Sequence, residues 1–384
     1  MRCISKMSSK KIRGRVFLVR VDLNVEEGSE KNAYRVQAIL PTIVHLLCHG
    51  GKVALLSHRG RPAPARGISN FQFSISKQQR KLSLKPFASI LSKKLGKQVV
   101  FIPHFDFEKI EARIESSKRG SVFLLENLRF LAGEEQDDPA LGMRLAALGD
   151  IYVNDAFAVS HRANASVRAI VKYIPSYAGF LLEKEILNLD RAAKHYAHPF
   201  TIIFGGAKIS DKIGIIRRFQ NKADYFLLGG GPANTFFAAQ GLPTGSSLID
   251  TGSVAFAKQC LRSKKIILPI DAERQNGKIL DIGPKTIDQF DAVIKNSKTI
   301  IWNGPMGLFE KRGFEEGTRG VWNAVLMNKK AHTVVGGGET VSSISLILGS
   351  KFLISKNVFL STGGGAMLEY LSGEKLPGIE ALQK

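Results

Sequence analysis

The sequence predicts an α/β fold with parallel sheets, organised as two domains. In the first half, short apolar and β-branched runs alternate with segments of helical periodicity, which is the pattern of βαβ units. In the second half, four apolar runs end in glycine-rich turns that lead into helix-forming residues. With 384 residues, the chain is long enough for two domains that each have a full core.

The first half contains short strands separated by amphipathic helices. The segment 61–82 is rich in Pro, Gly, Ser and basic residues and is predicted to be a surface loop. The strongly periodic segment 178–193 is predicted to be a helix that connects the two halves. Strands are expected at residues 15–21, 52–56, 98–102, 122–125 and 151–153, and helices at 35–49 and 84–95.

Charged and polar side chains follow the strands of the first half. The carboxyl ends of parallel strands share one edge of a sheet, so we expect these side chains to meet. A single arginine would most simply be solvated or salt-bridged. Several arginines at one sheet edge predict a pocket for a small, highly charged anion, because guanidinium groups match the geometry of phosphate and carboxylate. For His58, a structural hydrogen bond and a catalytic role are both open. The side chains concerned are Arg20, Asp22, Asn24, His58, Arg61, Arg129, Asp155 and Arg162.

Glycine-rich turns follow the strands of the second half, at residues 204–212, 225–236, 332–340 and 358–366. Any one of them could be glycine-rich for steric reasons alone. Four at one sheet edge favour a nucleotide-phosphate cradle built mainly from backbone amides, because helix N-termini present unpaired N–H groups and a favourable dipole to anions. Lys208 and Lys212 lie four residues apart at the first of these turns and add positive charge.

The composition excludes several classes of protein. No apolar stretch reaches the length of a membrane span, and residues 1–20 lack the pattern of a secretory signal. Three scattered cysteines without metal or redox spacing indicate a reducing cytoplasm. A net charge of +22 suits either a nucleic-acid binder or an enzyme for polyanionic substrates. The even spread of the basic residues, without a basic tail, favours the enzyme.

Eight motifs resemble those of the phosphoglycerate kinase family, in the family's order and over nearly the whole chain. They are Arg20-Val-Asp-Leu-Asn-Val25, Ser57-His58 with Gly60-Arg61-Pro62, Glu126-Asn-Leu-Arg-Phe130, Tyr152-Val-Asn-Asp-Ala-Phe157, Gly205-Gly-Ala-Lys208 with Ser210-Asp-Lys212, Asp281-Ile-Gly-Pro-Lys-Thr286, Ile301-Trp-Asn-Gly-Pro-Met-Gly307 with Phe309-Glu310, and Ser361-Thr-Gly-Gly-Gly-Ala366 with Leu376-Pro-Gly378.

The resemblance implies two Rossmann-like three-layer αβα domains with parallel sheets, bilobal with a hinge. It implies a phosphoglycerate-binding domain at 1–177, completed by 368–384, an interdomain helix at 178–193 and a nucleotide-binding domain at 194–367. The implied reaction is the reversible, Mg²⁺-dependent phosphoryl transfer between 1,3-bisphosphoglycerate with ADP and 3-phosphoglycerate with ATP, in glycolysis and gluconeogenesis. We expect a cytoplasmic monomer with no specific nucleic-acid partner and no membrane partner.

The resemblance also implies the site residues. Glu310 would hold the ribose, and Glu339 would ligate the nucleotide-bound Mg²⁺. Arg35, Lys208 and Lys212 would surround the transferring phosphoryl group, together with the amides of Gly338 and Gly364. The phosphoglycerate pocket would consist of Asp22, Asn24, Arg35, His58, Arg61, Arg129 and Arg162. The nucleotide site would consist of Lys208, Lys212, Asn303, Pro305, Glu310, Gly337, Gly338, Glu339 and Thr340.

The reaction agrees with the residues present. The acceptor is a carboxylate that is already ionised at neutral pH, so lysines and arginines are needed for charge stabilisation and a general base is not. Several positions depart from the family pattern, among them Glu26 for Pro, Ala158 for Gly and the segment 32–34, which lacks the usual acidic residues. Glu339 stands where Asp is usual, which leaves the metal preference open, and Arg59 stands where Leu is usual.

Two other functions would require different features. A nicotinamide-dependent dehydrogenase would need a G-x-G-x-x-G turn with an acidic residue about twenty positions later, and no glycine cluster has that spacing. A basic nucleic-acid-binding protein that has kept a kinase scaffold but lost turnover would bind DNA or RNA at physiological salt. The sequence has neither a Walker loop nor a protein-kinase catalytic loop.

Overall fold

The computed structural model describes residues 1–25, 34–62, 80–348 and 355–383. The chain divides into two compact units, of which the first contains Met1–Glu185 and Lys375–Lys384 and the second contains Ile186–Glu374. One boundary therefore falls inside the helix that was predicted to connect the halves, and residues 368–374 group with the second unit. Of the predicted loop 61–82, residues 63–79 lie outside the described residues.

A six-stranded sheet lies at the centre of the first unit. Its strands β1 to β6 are Val16–Arg20, Lys52–Leu56, Val99–Ile102, Val122–Leu125, Ile151–Asn154 and Ser176–Ala178. All neighbours are parallel, in the order β3-β4-β2-β1-β5-β6. The chain order reverses between β1 and β5, so the loops after these two strands diverge and leave a crevice at the carboxyl edge.

Alternate residues of these strands enter two different hydrophobic cores. Phe17 and Val19 of β1 belong to one core, whereas Leu18 belongs to the other. Because successive strand residues point to opposite faces, the sheet is covered on both sides and the unit has three layers. The covering helices α1 to α6 are Ser9–Ile12, Tyr34–Ala38, Leu40–Cys48, Lys85–Leu95, Phe107–Glu115 and Pro139–Ala146.

The prediction of one continuous helix over residues 35–49 is wrong. Two helices occupy this stretch, and Ile39 separates α2 from α3. Pro41 explains the break, because it has no N–H to donate to the carbonyl of residue 37. It lies in the first turn of α3, where that missing donor costs nothing.

Helix α7 (Phe180–Lys194) follows β6 at the position predicted for the connecting helix. Asp155 Oδ1 accepts hydrogen bonds from the N–H groups of Leu181 at 2.8 Å and Leu182 at 3.2 Å, which caps the start of α7. Burial raises the pKa of Asp155 to about 7. Asp155 is predicted to lie with the charged residues of the anion pocket, but its carboxylate instead supports the start of α7.

The second unit contains another six-stranded parallel sheet, in the order β14-β13-β12-β7-β8-β9, with its reversal between β7 and β12. Its strands β7, β8, β9, β12, β13 and β14 are Phe200–Phe204, Tyr225–Leu228, Ile266–Ile267, Thr299–Asn303, His332–Gly336 and Val358–Leu360. An antiparallel hairpin consists of β10 (Ala272–Gln275) and β11 (Lys278–Ile282). Helices α8 to α14 are Ile213–Phe219, Gly230–Ala239, Val254–Cys260, Pro284–Asn296, Glu316–Met327, Gly338–Leu348 and Gly365–Ser372.

The last helix, α15 (Pro377–Glu380), belongs to the first unit. The N–H of Gly378 donates to the carbonyl of Ser160 at 2.8 Å, which ties the returning chain to that unit. Among the described residues, no helix is both long enough and apolar enough to cross a membrane.

Candidate active site

At the carboxyl edge of the first sheet, Arg20 is the centre of a buried polar network. Its Nε donates to Ser166 Oγ at 2.9 Å, and one terminal nitrogen lies 3.2 Å from His58 Nδ1. Ser166 also donates from its N–H and its hydroxyl to Glu134, at 3.0 and 2.6 Å. Glu134 is fully buried, 3.9 Å from the guanidinium of Arg20. The network therefore fixes Arg20 and, through it, the ring of His58.

His58 is held neutral by its surroundings. Burial lowers its pKa well below the ordinary value, and the positive charges of Arg20, Arg129 and Arg162 lower it further. A guanidinium group can only donate hydrogen bonds, so Nδ1 is the acceptor and the proton lies on Nε2. His58 can thus donate one hydrogen bond from Nε2 to an anion. An acceptor carboxylate that is already ionised needs no general acid or base, so His58 need not act as one.

Asp22, Asn24 and Arg35 form the next group at this edge. A terminal nitrogen of Arg35 lies 3.0 Å from Asp22 Oδ2 and donates to the carbonyl of Asn24 at 3.0 Å. The amide oxygen of Asn24 accepts from the N–H of Gly60 at 2.8 Å. The side chain of Arg35 is one-quarter exposed, so its guanidinium is both oriented and accessible to a ligand.

Arg129 lies over the loop that follows β2. It donates to the carbonyl of Gly60, and its Nε lies 3.1 Å from Glu135. Desolvation lowers the pKa of the Arg129 guanidinium, although it stays charged in the neutral range. Asn127 donates to the carbonyl of Arg59 at 2.7 Å and accepts from the N–H of Arg129 at 3.1 Å. Asn127 therefore joins the loops after β2 and β4.

The structure brings together most of the residues that were predicted for this pocket. Arg162 is half-buried and contributes to the positive potential at His58. Arg61 is the exception, because it is exposed at the edge of the described residues, next to the segment 63–79. The unusual Arg59 is buried, with its guanidinium 5.4 Å from the ring centre of Phe87.

At the carboxyl edge of the second sheet, a cleft encloses about 790 Å³. It lies at the ends of β7, β12, β13 and β14, around the reversal of strand order where ligands of such sheets bind. Of the residues predicted for the nucleotide and the reaction, it is lined by Lys208, Lys212, Asn303, Gly337, Gly338, Glu339, Thr340 and Gly364.

Lys212 is the buried cation of the cleft. Its ammonium group donates to the carbonyl of Lys208 at 2.9 Å, and only 5% of the residue is exposed. Desolvation lowers the pKa of Lys212, whereas the nearby carboxylates of Asp211 and Glu339 raise it. Lys208 is exposed at the mouth of the same turn. An anion entering the cleft would therefore replace solvent around one fixed and one adaptable ammonium group.

Two buried side chains hold the turns of the cleft together. Thr340 Oγ1 accepts from the N–H of Gly304 at 2.7 Å and donates to the carbonyl of Gly336 at 2.9 Å. Asn303 donates to the same carbonyl at 2.9 Å. The backbones approach so closely that a Cβ on Gly205 would lie 2.0 Å from the carbonyl oxygen of Pro305. These contacts shape the turns and leave the amides of α13 for a ligand.

The N-termini of α13 and α14 meet in the cleft. Gly364 precedes α14 and lies beside the turn that starts α13, with its Cβ position 3.6 Å from the Cα of Gly337 and 3.8 Å from the N of Gly338. Gly337 has a φ of +101°, a conformation that favours glycine. A Cβ on Gly338 would meet no atom within 4 Å, so the space beside its amide is open. Two sets of unpaired N–H groups can therefore reach one anion.

Glu339 is the acidic group best placed for a metal. It is exposed on the first turn of α13, and its Oε2 is 3.6 Å from the Cβ position of Gly206. No cluster of three metal-ligating side chains occurs within the described ranges. A single carboxylate suits Mg²⁺ that also takes oxygens from phosphates and water. The residues present thus fit a metal carried by a nucleotide.

Pro305 and Glu310 do not line the cleft. They belong to the loop 304–315, which joins β12 to α12. The carbonyl of Pro305 accepts from the N–H of Gly206 at 2.7 Å, whereas Glu310 is exposed. Beside this loop lies a narrow, mainly apolar cavity, lined by residues that include Ala233, Phe237, Leu280, Asp281 and Met306.

Several residues that shape these sites were not assigned from the sequence. Glu134 and Ser166 orient Arg20. Thr318 accepts from the N–H of Met306 in the loop 304–315, and Asp281 accepts from the N–H of Gly317 directly after that loop. Asp281 belongs to the motif 281–286, and that motif was the signal in the sequence that could have identified it. Nothing in the sequence marks Glu134 as a partner of Ser166, 32 residues later.

Comparison with known proteins identifies the family of the chain. The model of the phosphoglycerate kinase family matches residues 7–374. The phosphoglycerate kinases of Chloroflexus aggregans and Pseudothermotoga lettingae are each 42% identical to this chain. The alignment with the first covers 98% of this chain and 99% of the relative, and the alignment with the second covers 96% of each. The crystal structure of phosphoglycerate kinase from Pyrococcus horikoshii OT3 superimposes with a TM-score of 0.85 at 30% identity, covering 100% of this chain and 98% of that one. The structure of phosphoglycerate kinase from Coxiella burnetii superimposes with a TM-score of 0.81 at 33% identity, and the superposition covers 99% of this chain and 98% of that one. The chain therefore belongs to the phosphoglycerate kinase family.

Proposed function

We propose that this member of the family transfers a phosphoryl group reversibly between 1,3-bisphosphoglycerate with ADP and 3-phosphoglycerate with ATP, using Mg²⁺. The observation that carries the proposal is the cleft of the second unit. Apart from Pro305 and Glu310, every residue that the family resemblance implies for the nucleotide lines this one cleft. The chemistry of the lining, two helix N-termini and two lysines, is that of a polyphosphate site.

The edge of the first unit would bind phosphoglycerate. Arg35, Arg129 and Arg162 supply guanidinium groups, and neutral His58 donates from Nε2, so the edge can take a small molecule with two anionic ends. Asp22 and Asn24 orient Arg35 and the backbone around Gly60. Arg61 is included on the family resemblance alone.

The nucleotide would extend along the cleft towards the loop 304–315 and the narrow apolar cavity beside it. The phosphates would lie on the amides of α13 and α14, and the base would lie on the side of the cleft next to Met306. Glu310, in the adjoining loop, would accept hydrogen bonds from the ribose. Asn303, Pro305 and Thr340 would hold the turns that form the walls.

When bound with the nucleotide, Mg²⁺ would neutralise part of the phosphate charge, and Glu339 would be its protein ligand. Lys208, Lys212 and the amides of Gly338 and Gly364 would stabilise the negative charge on the transferring oxygens, and Arg35 would do so from the acceptor's side. The acceptor carboxylate carries no proton at neutral pH, so positioning and electrostatics suffice. The protein would act as a monomer in the cytoplasm, with neither a membrane nor a specific nucleic acid as partner.

The experiment is a coupled assay of the purified protein with 3-phosphoglycerate and MgATP. Formation of 1,3-bisphosphoglycerate is followed through its reduction by glyceraldehyde-3-phosphate dehydrogenase. We expect turnover that disappears when EDTA removes Mg²⁺ and returns when Mg²⁺ is added. A folded protein that binds ADP but shows no turnover would contradict the proposal.

A further inference from the structure

Asp281 is a buried carboxylate that the proposed chemistry does not use. It lies near the end of β11 and is only 2% exposed. Its Oδ2 accepts from the N–H of Gly317 at 2.8 Å, and its Oδ1 accepts from the N–H of Ile282 at 2.9 Å. Gly317 stands in the first turn of α12, where N–H groups lack partners within the helix. The carboxylate therefore joins the hairpin to the start of α12.

The same carboxylate packs against the loop 304–315. A Cβ on either Gly307 or Gly317 would come within 2.2 Å of Asp281 Oδ1, so both glycines lie directly against it. Two further bonds hold this loop nearby. The N–H of Leu308 donates to the carbonyl of Leu280 at 2.8 Å, and the N–H of Met306 donates to Thr318 Oγ1 at 3.0 Å.

The loop so held forms part of the proposed nucleotide site. Met306 lines the apolar cavity together with Asp281 itself, and the same loop carries Glu310. A shift of the loop would move both the proposed wall for the base and the proposed ribose ligand. The fold thus places a buried carboxylate that packs against Gly307 of the loop in the lining of the cavity.

We propose that Asp281 is a positioning residue for nucleotide binding. Its ionised carboxylate ties the start of α12, directly after the loop 304–315, to β11, and so keeps the loop in the shape that receives the nucleoside. The proposal rests on the nucleotide site proposed above. It differs from a purely structural cap, because it predicts an effect on nucleotide affinity that depends on the charge of Asp281.

The ionisation of Asp281 falls in the physiological range. Burial raises its pKa to about 7, while its bonds from the N–H groups of Gly317 and Ile282 lower it. The charged side chains that act on it are Glu273 on β10 and Glu316 on α12, and both carboxylates raise the pKa further. Protonation would weaken the carboxylate as an acceptor for the N–H groups of Gly317 and Ile282. The start of α12, and with it the loop that precedes it, should therefore be held less firmly below this pH.

The test compares MgADP titrations of the wild type and of Asp281→Asn at pH 8 and pH 6. The ratio of their dissociation constants cancels the titration of the nucleotide and of other groups. We expect a ratio of ~10 at pH 8, because a charge-assisted bond to a buried amide is lost, and a ratio that falls towards one at pH 6. The affinity for 3-phosphoglycerate should not change. A ratio near one at pH 8, an unchanged ratio at pH 6, or an equal loss of phosphoglycerate binding would each overturn the proposal.

A measurement of thermal stability distinguishes a positioning role of Asp281 from a purely structural one. A carboxyl group whose pKa is raised by folding adds stability that is present below its unfolded pKa of about 4 and is lost as the pH rises through about 7. Asn resembles the uncharged form, so the thermal midpoint of Asp281→Asn at pH 8 should not fall. A lower midpoint with unchanged nucleotide affinity would show that Asp281 is only a cap.

Three variants complete the design. Thr318→Val removes the separate anchor of Met306 and should weaken MgADP binding with a ratio that is the same at both pH values. Asp224→Asn is the matched control, since Asp224, directly before β8, also accepts from a backbone N–H. Its partner is Phe200 at 2.6 Å, the first residue of β7, at the opposite edge of the sheet. Its affinity for MgADP should equal that of the wild type. Glu310→Ala tests the nucleoside placement itself, so unchanged binding there would contradict the proposed function separately from the role of Asp281.

Discussion

The carboxyl edges of the two sheets present different groups to an anion. The first unit uses side chains, with Arg20 fixing His58 and Asp22 orienting Arg35. The second unit uses the backbone, with glycines that bring the amides at the starts of α13 and α14 next to each other. A small acid with two charged ends needs groups at particular points, whereas a polyphosphate needs a surface of donors. The first edge should therefore be sensitive to side chains that are removed, and the second to side chains that are added.

Lys212 is the exception in the backbone-built site, and its loss should have the largest effect. Lys212→Ala should lower turnover by about a thousandfold, because a buried charge that stabilises the transferring group is removed. ADP binding should remain, since the amides are unchanged. Steady-state kinetics and ADP titration check this, with the exposed Lys258→Ala as the control. Turnover within severalfold of the wild type would remove Lys212 from the reaction.

At the side-chain-built edge, Arg35→Ala should lower turnover and phosphoglycerate affinity together. The loss of a charge-assisted bond to the substrate predicts a ~30-fold decrease in kcat/KM for 3-phosphoglycerate. Arg15→Ala is the matched control, because Arg15 pairs with Asp150 at 3.0 Å near the opposite end of β1. An unchanged rate for Arg35→Ala would show that its pairing with Asp22 serves the fold alone.

Glu339 should tolerate a change of length but not of charge. Glu339→Asp should keep Mg²⁺-dependent turnover within about threefold, because the carboxylate that suits Mg²⁺ is retained. Glu339→Gln should raise the Mg²⁺ concentration needed for half-maximal activity by ~10-fold, because a neutral amide is a poorer ligand. Activity measured over a Mg²⁺ series decides this. A collapse of turnover in Glu339→Asp would mean that the turn is adapted to the longer side chain.

The smallest effect concerns stability at acid pH. The pKa of His58 is lowered in the folded protein, so the unfolded chain binds a proton there more readily as the pH falls below about 6.5. His58 should thus lower the free energy of unfolding below that pH and leave it unaffected above it. Urea titrations at pH 5 and pH 8 should show that His58→Gln loses less stability on acidification than the wild type. An equal loss in both would contradict the buried, neutral state of His58.

The sequence predicted the parts of the fold that depend on local patterns. Apolar runs such as Phe200–Phe204, followed by glycine turns, identify parallel strands and the edge where ligands bind. The break at Ile39 was missed, although Pro41 was visible, because the amphipathic pattern continues through it. Helical periodicity indicates which face of a helix is buried, but it gives no sign of the backbone hydrogen bond that is lost at Pro41.

Contacts between distant parts of the chain could not be predicted from one sequence. Arg20 and Ser166 are 146 residues apart, and Asp281 is 36 residues from Gly317. Their pairing depends on where strands and helices meet in the folded chain. The family resemblance supplied candidate ligands such as Lys212 and Glu339. It assigned no role to the buried groups behind them, although Asp281 stands in one of the motifs that carry the resemblance.

The most direct measurement is a crossed titration, in which 3-phosphoglycerate and MgADP are each titrated into Arg35→Ala and Gly338→Val. A side chain at Gly338 has open space, so Gly338→Val should fold normally and fill the place of the phosphates. We predict that Arg35→Ala weakens only phosphoglycerate binding and that Gly338→Val weakens only MgADP binding. If either variant weakened both ligands equally, or if Gly338→Val left MgADP binding unchanged, the account of one edge built from side chains and one built from backbone amides would be contradicted.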